Sequence, residues 1–285
     1  MFGTAGRFAR SPIGLELFEL ARSFGRIASD YDVARPEYAP EAVDRAAEVL
    51  GLGADSRVVD LAAGSGTLTR ALCERFRDVV AIEPDDEMRA VLGRRPGDFE
   101  VLVGTAERIP LQGASVDAVF VGDAFHWFDG PVAVAEIDRV LRPGRGVALL
   151  WNLWWNDGDD GTSDSLEPPL SPAARALFDD AYVRSGRAAA RAEKADPAAC
   201  FRDSRFGPLV LETFERFRQL PGAEVVELYS TTSAVAWLPV SERAELKREL
   251  LPLLGDTYRL KITRDVANDS AAGDAELLSV EIRET

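Results

Sequence analysis

The feature that most constrains this chain is a short apolar run that ends in an acid and is followed by a turn of small residues. Val58 and Val59 suit a buried parallel strand, Asp60 follows them, and residues 62–66 read Ala-Ala-Gly-Ser-Gly. Such small residues let the backbone approach a ligand closely, and the pattern from Thr67 to Phe76 is helical. This strand–turn–helix order is typical of a nucleotide-type ligand site.

A second acid, Glu83, ends the next apolar run, residues 79–82. A carboxylate at this place can accept two hydrogen bonds from a ribose diol, and it lies about as far downstream as the acid of dinucleotide sites. The turn lacks the third glycine of a nicotinamide fingerprint, and Asp60 would repel a pyrophosphate. Asp60 instead favours an adenosine-like cofactor that carries a positive ammonium and sulfonium.

Several blocks resemble the class I S-adenosylmethionine-dependent methyltransferases. Residues 57–66 resemble that family's motif I, and residues 83–88 its second block, Glu-Pro-Asp-Asp-Glu-Met here. Residues 104–111 and 115–120 resemble the blocks of its third and fourth strands. Residues 31–38, Tyr-Asp-Val-Ala-Arg-Pro-Glu-Tyr, are similar to the N-terminal element of a bacterial subgroup that includes trans-aconitate methyltransferase-like proteins.

The resemblance implies S-adenosylmethionine as the cofactor. It places Met88 against the adenine and Arg35 near the methionine carboxylate, although a surface salt bridge is the alternative for Arg35. Ala62 stands where the family's turn has its first glycine. Thr105 stands where many members have an aspartate, so Thr105 or the backbone of Ala106 must contact the adenine. The implied cofactor-binding residues are Asp60, Ala62, Gly64, Gly66, Glu83, Pro84, Met88, Thr105, Ala106, Glu107, Asp123 and Arg35.

Strand and helix patterns alternate to about residue 152, which predicts a parallel sheet with helices on both faces. The resemblance implies an α/β fold with a Rossmann-like, seven-stranded sheet, mostly parallel with an antiparallel edge, plus helical lid insertions. We expect one integrated domain: N-terminal helices over 1–53 that close the site, a cofactor-binding core over 54–152, and a lid with the remaining strands over 153–285. The patterns predict helices at 15–24, 40–50, 172–193, 222–235 and 241–254, a loop at 156–169, and later strands at 209–217, 258–263 and 276–282.

Methyl transfer from a sulfonium is an in-line displacement, so the protein must align the reacting atoms and, for some acceptors, remove a proton. His126, the only histidine, could accept that proton near neutral pH; alternatively it positions Trp127 or hydrogen-bonds the backbone. The tryptophans after the fifth strand indicate either an apolar substrate pocket or lid packing on the core. The candidate substrate-binding residues are Tyr31, Tyr38, Trp127, Trp151, Trp154 and Trp155.

Composition restricts the class of partner. The formal net charge of −15 repels nucleic-acid phosphates and anionic lipid. No apolar run reaches membrane-spanning length and no signal-peptide order is present, so we expect a cytoplasmic protein. The two cysteines lack metal-site spacing, and the acids at 157–164 lack the order of a calcium loop, so we expect no metal. The predicted partner is a small molecule, with a homodimer left open.

The sequence therefore predicts an S-adenosylmethionine-dependent methyltransferase that acts on a small organic or secondary-metabolite acceptor, preferentially at oxygen. A tricarboxylate acceptor would need a basic pocket, for which Arg35 alone is thin support. The alternative is a protein of this fold that uses bound cofactor structurally, in a cyclase-like or binding role.

Overall fold

A computed structural model describes residues 22–153, 166–185, 197–202, 204–206, 210–268 and 281–282. Five parallel strands form the centre of its sheet, in the spatial order β3-β2-β1-β4-β5. They are β1 (Arg57–Leu61), β2 (Asp78–Ile82), β3 (Glu100–Leu102), β4 (Val116–Gly122) and β5 (Leu141–Leu153). Because the chain builds outward from β1 to β3 and then returns to β4, the order reverses between β1 and β4.

The central strands are almost wholly apolar because helices cover both faces of the sheet. Val58 packs on one face with α2 (Pro40–Val49) and α3 (Thr67–Cys73), while Val59 packs on the other with α5 (Gly130–Val140). Alternate residues of each strand therefore enter two different cores, which explains the unbroken apolar runs. The remaining helices before β5 are α1 (Ala28–Ala34), α4 (Asp86–Leu92) and two 3₁₀ turns, Arg22–Ile27 and Phe125–Trp127.

The second half of the chain extends this sheet with long antiparallel strands. β8 (Thr257–Asn268) lies between β5 and β7 (Val210–Pro221) and pairs with both in antiparallel fashion. Two short strands complete the sheet, since β6 (Leu166–Glu167) pairs with β8 and β9 (Glu281–Ile282) pairs with β7.

A third apolar core joins the base of β7 and β8 to helices from the second half of the chain. Its largest fully buried side chain is Tyr229, whose ring lies 4.7 Å from that of Phe178. Across the described segments, no helix is both long enough and apolar enough to cross a membrane. The helices of this half are α6 (Pro172–Arg184), α7 (Pro197–Arg202), α8 (Gly222–Ser230), α9 (Ser233–Trp237) and α10 (Val240–Leu250), with a 3₁₀ turn at Leu251–Leu253.

The described residues carry nine strands, whereas the sequence predicts seven. β6 was not predicted, because a two-residue strand leaves no alternating pattern to detect, whereas β9 lies within the strand predicted at 276–282. β6 also lies inside the predicted loop 156–169, so that loop prediction is wrong at Leu166–Glu167. The predicted helix at 15–24 lies mostly outside the described residues, as do parts of the predictions at 172–193 and 276–282.

Candidate functional site

A pocket opens at the carboxyl ends of β1 and β4, where the strand order reverses. Ligands of open α/β sheets bind at this switch point. The pocket encloses about 50 Å³ in this structure. Its lining residues are Tyr31, Arg35, Pro36, Tyr38, Asp60, Ala62, Ala63, Gly64, Ser65, Thr67, Leu68, Gly122, Asp123 and Asn152.

The turn after β1 is built from left-handed backbone. Ala62 has a φ of 60° and Gly66 a φ of 88°, in the region where a side chain is strained. A Cβ on Gly66 would lie 2.5 Å from Leu92 Cδ1, so helix α4 packs where only glycine fits. The backbone of Ala62 is therefore strained, and the residue also adds a methyl group to the pocket lining.

The Glu83 side chain holds this turn through a hydrogen bond to its backbone. Its Oε2 accepts a hydrogen bond from Gly64 N at 2.8 Å, and its Oε1 accepts one from Asp85 N at 2.9 Å. Only 6% of Glu83 is exposed, and this burial raises the pKa of its carboxyl to about 7 against the lowering effect of the two backbone bonds. The carboxylate thus adjoins the pocket-lining Gly64 from the β2 side.

Asp60 is the most buried acid of the site. Its Oδ2 accepts a hydrogen bond from Thr69 Oγ1 at 2.6 Å. Burial raises the pKa of the Asp60 carboxyl to about 7, while Thr69 lowers it and the Glu83 carboxylate raises it. The ionised form is the one that attracts a cationic ligand.

Asp123 stands directly after β4, on the opposite side of the pocket from Glu83. It adopts a left-handed φ of 49°, and its carboxylate accepts hydrogen bonds from Asn152 N at 2.9 Å and from Tyr38 Oη at 2.7 Å. Burial raises the pKa of the Tyr38 hydroxyl well above its ordinary value, and the Asp123 carboxylate adds to this effect. Tyr38 therefore remains a proton donor to Asp123 across the neutral range.

Arg35 lines the pocket and reaches toward the second half of the chain. Its Nε donates to Thr231 Oγ1 at 3.0 Å and its Nη2 to the Thr231 carbonyl at 2.9 Å. The guanidinium also lies over the Tyr31 ring, 4.6 Å from its centroid. Thr231 is a partner that no sequence pattern indicates, because it is 196 residues away.

Two hydroxyls of the pocket were not predicted from the sequence. Ser65 Oγ and Thr67 Oγ1 are buried and have no hydrogen-bond partner within the described structure. A buried hydroxyl without a partner costs free energy, so these groups suit a polar ligand that supplies one. Ser65 lies between the two glycines of the turn and Thr67 directly follows the second, and this position is the available sequence signal.

Seven predicted residues line the pocket: Tyr31, Arg35, Tyr38, Asp60, Ala62, Gly64 and Asp123. The other predicted cofactor-binding residues are not part of this lining. Ala106 is buried in the core with α5, Glu107 accepts a hydrogen bond from Asp129 N at 3.0 Å, and Thr105 bridges to Arg108. Glu83 contacts the turn through Gly64, Gly66 packs on α4, Met88 is buried, and Pro84 is half-buried without lining the pocket.

His126, Trp127 and Trp151 are not part of the pocket lining. His126 and Trp127 belong to the 3₁₀ turn after β4, with ring centroids 4.7 Å apart, and both are half-buried. Trp127 and Trp151 pack against the core on the α5 face, which is the packing alternative. Trp154 and Trp155 lie outside the described residues.

Comparisons with known proteins agree with this geometry. Residues 59–149 match the sequence profile of a methyltransferase domain family. This stretch is a methyltransferase domain. A solved structure of a proposed type II methyltransferase from Anaeromyxobacter dehalogenans has a TM-score of 0.53 at 25% identity, covering 82% of this chain and 96% of that one. The methyltransferase domain is of the class I type, whose cofactor is S-adenosylmethionine.

Two relatives show how far the similarity extends. An uncharacterized methyltransferase of Mycobacterium tuberculosis is 47% identical over 134 residues, which are 47% of this chain and 54% of that protein. The chain thus spans about half the length of this relative. An uncharacterized methyltransferase of Schizosaccharomyces pombe is 29% identical over 248 residues, which cover 87% of this chain and 93% of that protein.

Proposed function

We propose that this chain is an S-adenosylmethionine-dependent methyltransferase that methylates a small organic acceptor, preferentially at oxygen. The observation that carries the proposal is the charge of the pocket. Asp60 and Asp123 line it and Glu83 adjoins it, while Arg35 is the basic residue in the described lining. Three carboxylates around one pocket favour a ligand with positive charge and disfavour a pyrophosphate.

The chain's own groups fit the cofactor from end to end. Glu83 faces the turn from β2 and would accept the ribose hydroxyls, since an ionised carboxylate is an acceptor only. Asp60 and Asp123 would offset the positive charge of the ammonium and sulfonium. The unpartnered hydroxyls of Ser65 and Thr67 would donate to the methionine carboxylate, with Arg35 close by.

When bound, S-adenosylmethionine supplies a methyl group that is already activated on sulfur. The chain must then align the acceptor and exclude water. A row of aromatic rings leads from the pocket to His126: Tyr31 lies 5.4 Å from Phe24, and Phe24 lies 6.0 Å from Trp127. We place the acceptor along this row, with His126 as the group that removes a proton from an acceptor hydroxyl.

The second half of the chain would act as the lid of this site. Thr231, at the end of α8, holds the guanidinium of the pocket-lining Arg35. Lys247 of α10 donates to Glu227 at 2.6 Å and lies 4.0 Å from Asp30 of α1. These contacts join α1 and the pocket-lining Arg35 to the helices of the second half.

Titration calorimetry with S-adenosylmethionine and S-adenosylhomocysteine tests cofactor binding. Glu83→Ala should weaken both by about 1–3 kcal/mol, because charged hydrogen bonds to the ribose are lost. Glu87→Ala, a neighbouring but exposed glutamate, is the matched control and should leave both affinities unchanged. Binding of NAD in place of both ligands would refute the cofactor assignment.

Turnover separates methyl transfer from a structural use of the cofactor. With labelled cofactor and a panel of small hydroxylated acceptors, methylated product should form in equal amount with S-adenosylhomocysteine. Product formed while the cofactor stays intact would instead support the cyclase-like alternative.

A further inference from the structure

Three chain segments meet at the Asp123 carboxylate. Tyr38 donates to its Oδ2 at 2.7 Å and Asn152 N to its Oδ1 at 2.9 Å. Asn152 Nδ2 also donates to the Pro36 carbonyl at 3.3 Å, which ties the segment bearing Tyr38 to the end of β5. The carboxylate is therefore held from two sides, by groups that are themselves joined.

The place of the Tyr38 hydroxyl depends on the absence of a side chain at Gly122. A Cβ there would lie 2.5 Å from Tyr38 Oη and 2.9 Å from Tyr38 Cζ, closer than real Cβ contacts. A side chain at position 122 would therefore displace the hydroxyl of the buried Tyr38. Gly122, the last residue of β4, thus provides the space that the Tyr38 hydroxyl occupies.

The backbone of Asp123 needs such support. Its φ of 49° is left-handed, a region that favours glycine and that an aspartate occupies less readily. Its N–H donates to the Leu150 carbonyl at 2.8 Å, so Asp123 still pairs with β5 while its side chain lines the pocket. A carboxylate has about four acceptor positions, so bonds from Tyr38 and Asn152 are compatible with a further cationic donor.

We infer that Tyr38 is a positioning residue that holds the Asp123 carboxylate toward the pocket for the ammonium group of the cofactor. This inference rests on the proposed function, because it concerns the same cofactor. It replaces the substrate contact that the sequence predicts for Tyr38 with an action through Asp123. Tyr38 therefore affects ligands that carry the ammonium and spares those that lack it.

Two ligands separate this role from a merely structural one. S-adenosylhomocysteine carries the amino-acid ammonium, whereas 5′-methylthioadenosine has the same adenosine thioether without it. In titration calorimetry, Tyr38→Phe should weaken S-adenosylhomocysteine about 5- to 20-fold, as expected for loss of a charge-assisted hydrogen bond, and change 5′-methylthioadenosine less than about twofold. If Tyr38→Phe folds poorly, Gly122→Ala serves as a second variant, because it displaces the hydroxyl without removing it. It should give the same selective loss of affinity.

Tyr258→Phe is the matched control. Tyr258 is buried, and its hydroxyl accepts a hydrogen bond from Gly255 N at 2.9 Å in the third core, away from the pocket lining. This variant loses a buried hydroxyl bond as Tyr38→Phe does, but both ligands should bind it as they bind the wild type. Asp123→Asn should reproduce the selective loss, and adding Tyr38→Phe to it should have no further effect, because Tyr38 acts through Asp123.

The outcomes distinguish the inference from the proposal beneath it. Equal weakening of both ligands by Tyr38→Phe, no weakening of either, or additive losses with Asp123→Asn would each overturn the positioning role while leaving the methyltransferase proposal in place. Failure of both ligands to bind the wild-type chain would instead overturn the proposed function, and the inference with it.

Discussion

Replacing Asp60 with asparagine should stabilise the ligand-free protein, and increasingly so as the pH rises. Asp60 is 1% exposed, and its carboxylate accepts a hydrogen bond from Thr69 Oγ1 at 2.6 Å. Asparagine retains the shape and an acceptor oxygen for Thr69, but it carries no charge that burial would penalise. The substitution therefore removes the cost of an ionised carboxylate while preserving its local geometry.

The sign and size follow from the linkage between protonation and folding. Burial raises the pKa of the Asp60 carboxyl from 3.8 to about 7, so the folded chain holds this proton more tightly than the unfolded chain. Below about pH 4 both states hold the proton and the carboxyl carries no cost. Between about pH 4 and pH 7 the unfolded chain releases the proton while the folded chain retains it, so the free energy of unfolding falls progressively. A shift of about three units, at about 1.4 kcal/mol each, gives a total cost of about 4 kcal/mol.

Urea unfolding of wild type and variant at about pH 5 and about pH 8 measures this cost. The stability advantage of Asp60→Asn should grow by roughly 2–3 kcal/mol between the two pH values. Asp129→Asn, which changes an exposed aspartate, is the matched control. An advantage of Asp60→Asn that is constant, or larger at the lower pH, would refute the assignment of a buried, proton-binding carboxyl at Asp60.

Two further predictions concern His126 and Ala62. If His126 removes a proton from the acceptor, the rate of the chemical step should rise through an ionisation near pH 6–7. His126→Asn should abolish that rise and lower the rate about 10²- to 10⁴-fold. An unchanged pH profile in the variant would leave His126 a positional role only. Ala62→Gly should increase the free energy of unfolding by about 0.5–1 kcal/mol, because glycine adopts the φ of 60° without strain. Thermal unfolding measures this gain, and a loss of stability would contradict the strain at this turn.

Local patterns made the centre of the site predictable from the sequence. Asp60 and Glu83 both end buried parallel strands, and the carboxyl ends of such strands meet at one edge of the sheet. The sequence therefore placed these acids correctly beside the glycine turn. The structure confirms an α/β fold with a parallel central sheet, since alternating strand and helix patterns report directly on that architecture.

Contacts between distant segments could not be read in the same way. The Arg35–Thr231 bond joins residues 196 positions apart, and the Tyr38–Asp123 bond joins residues 85 apart. Nothing in the local pattern of Asp123 indicates its left-handed backbone, which depends on packing and hydrogen bonds from β5. Tertiary packing buries the Ser65 hydroxyl without supplying a hydrogen-bond partner, which the local sequence pattern does not show.

The position of β8 has a consequence for how the chain is made. β8 is an interior strand, between β5 and β7, although it begins about a hundred residues after β5 ends. At about 5–20 residues per second, a ribosome takes on the order of ten seconds to supply it. Throughout that interval the backbone groups along one side of β5 await their partners, and an open strand edge of this kind pairs readily with other chains. Newly made protein is therefore most exposed to aggregation after its cofactor-binding half has been synthesised and before residue 268 emerges.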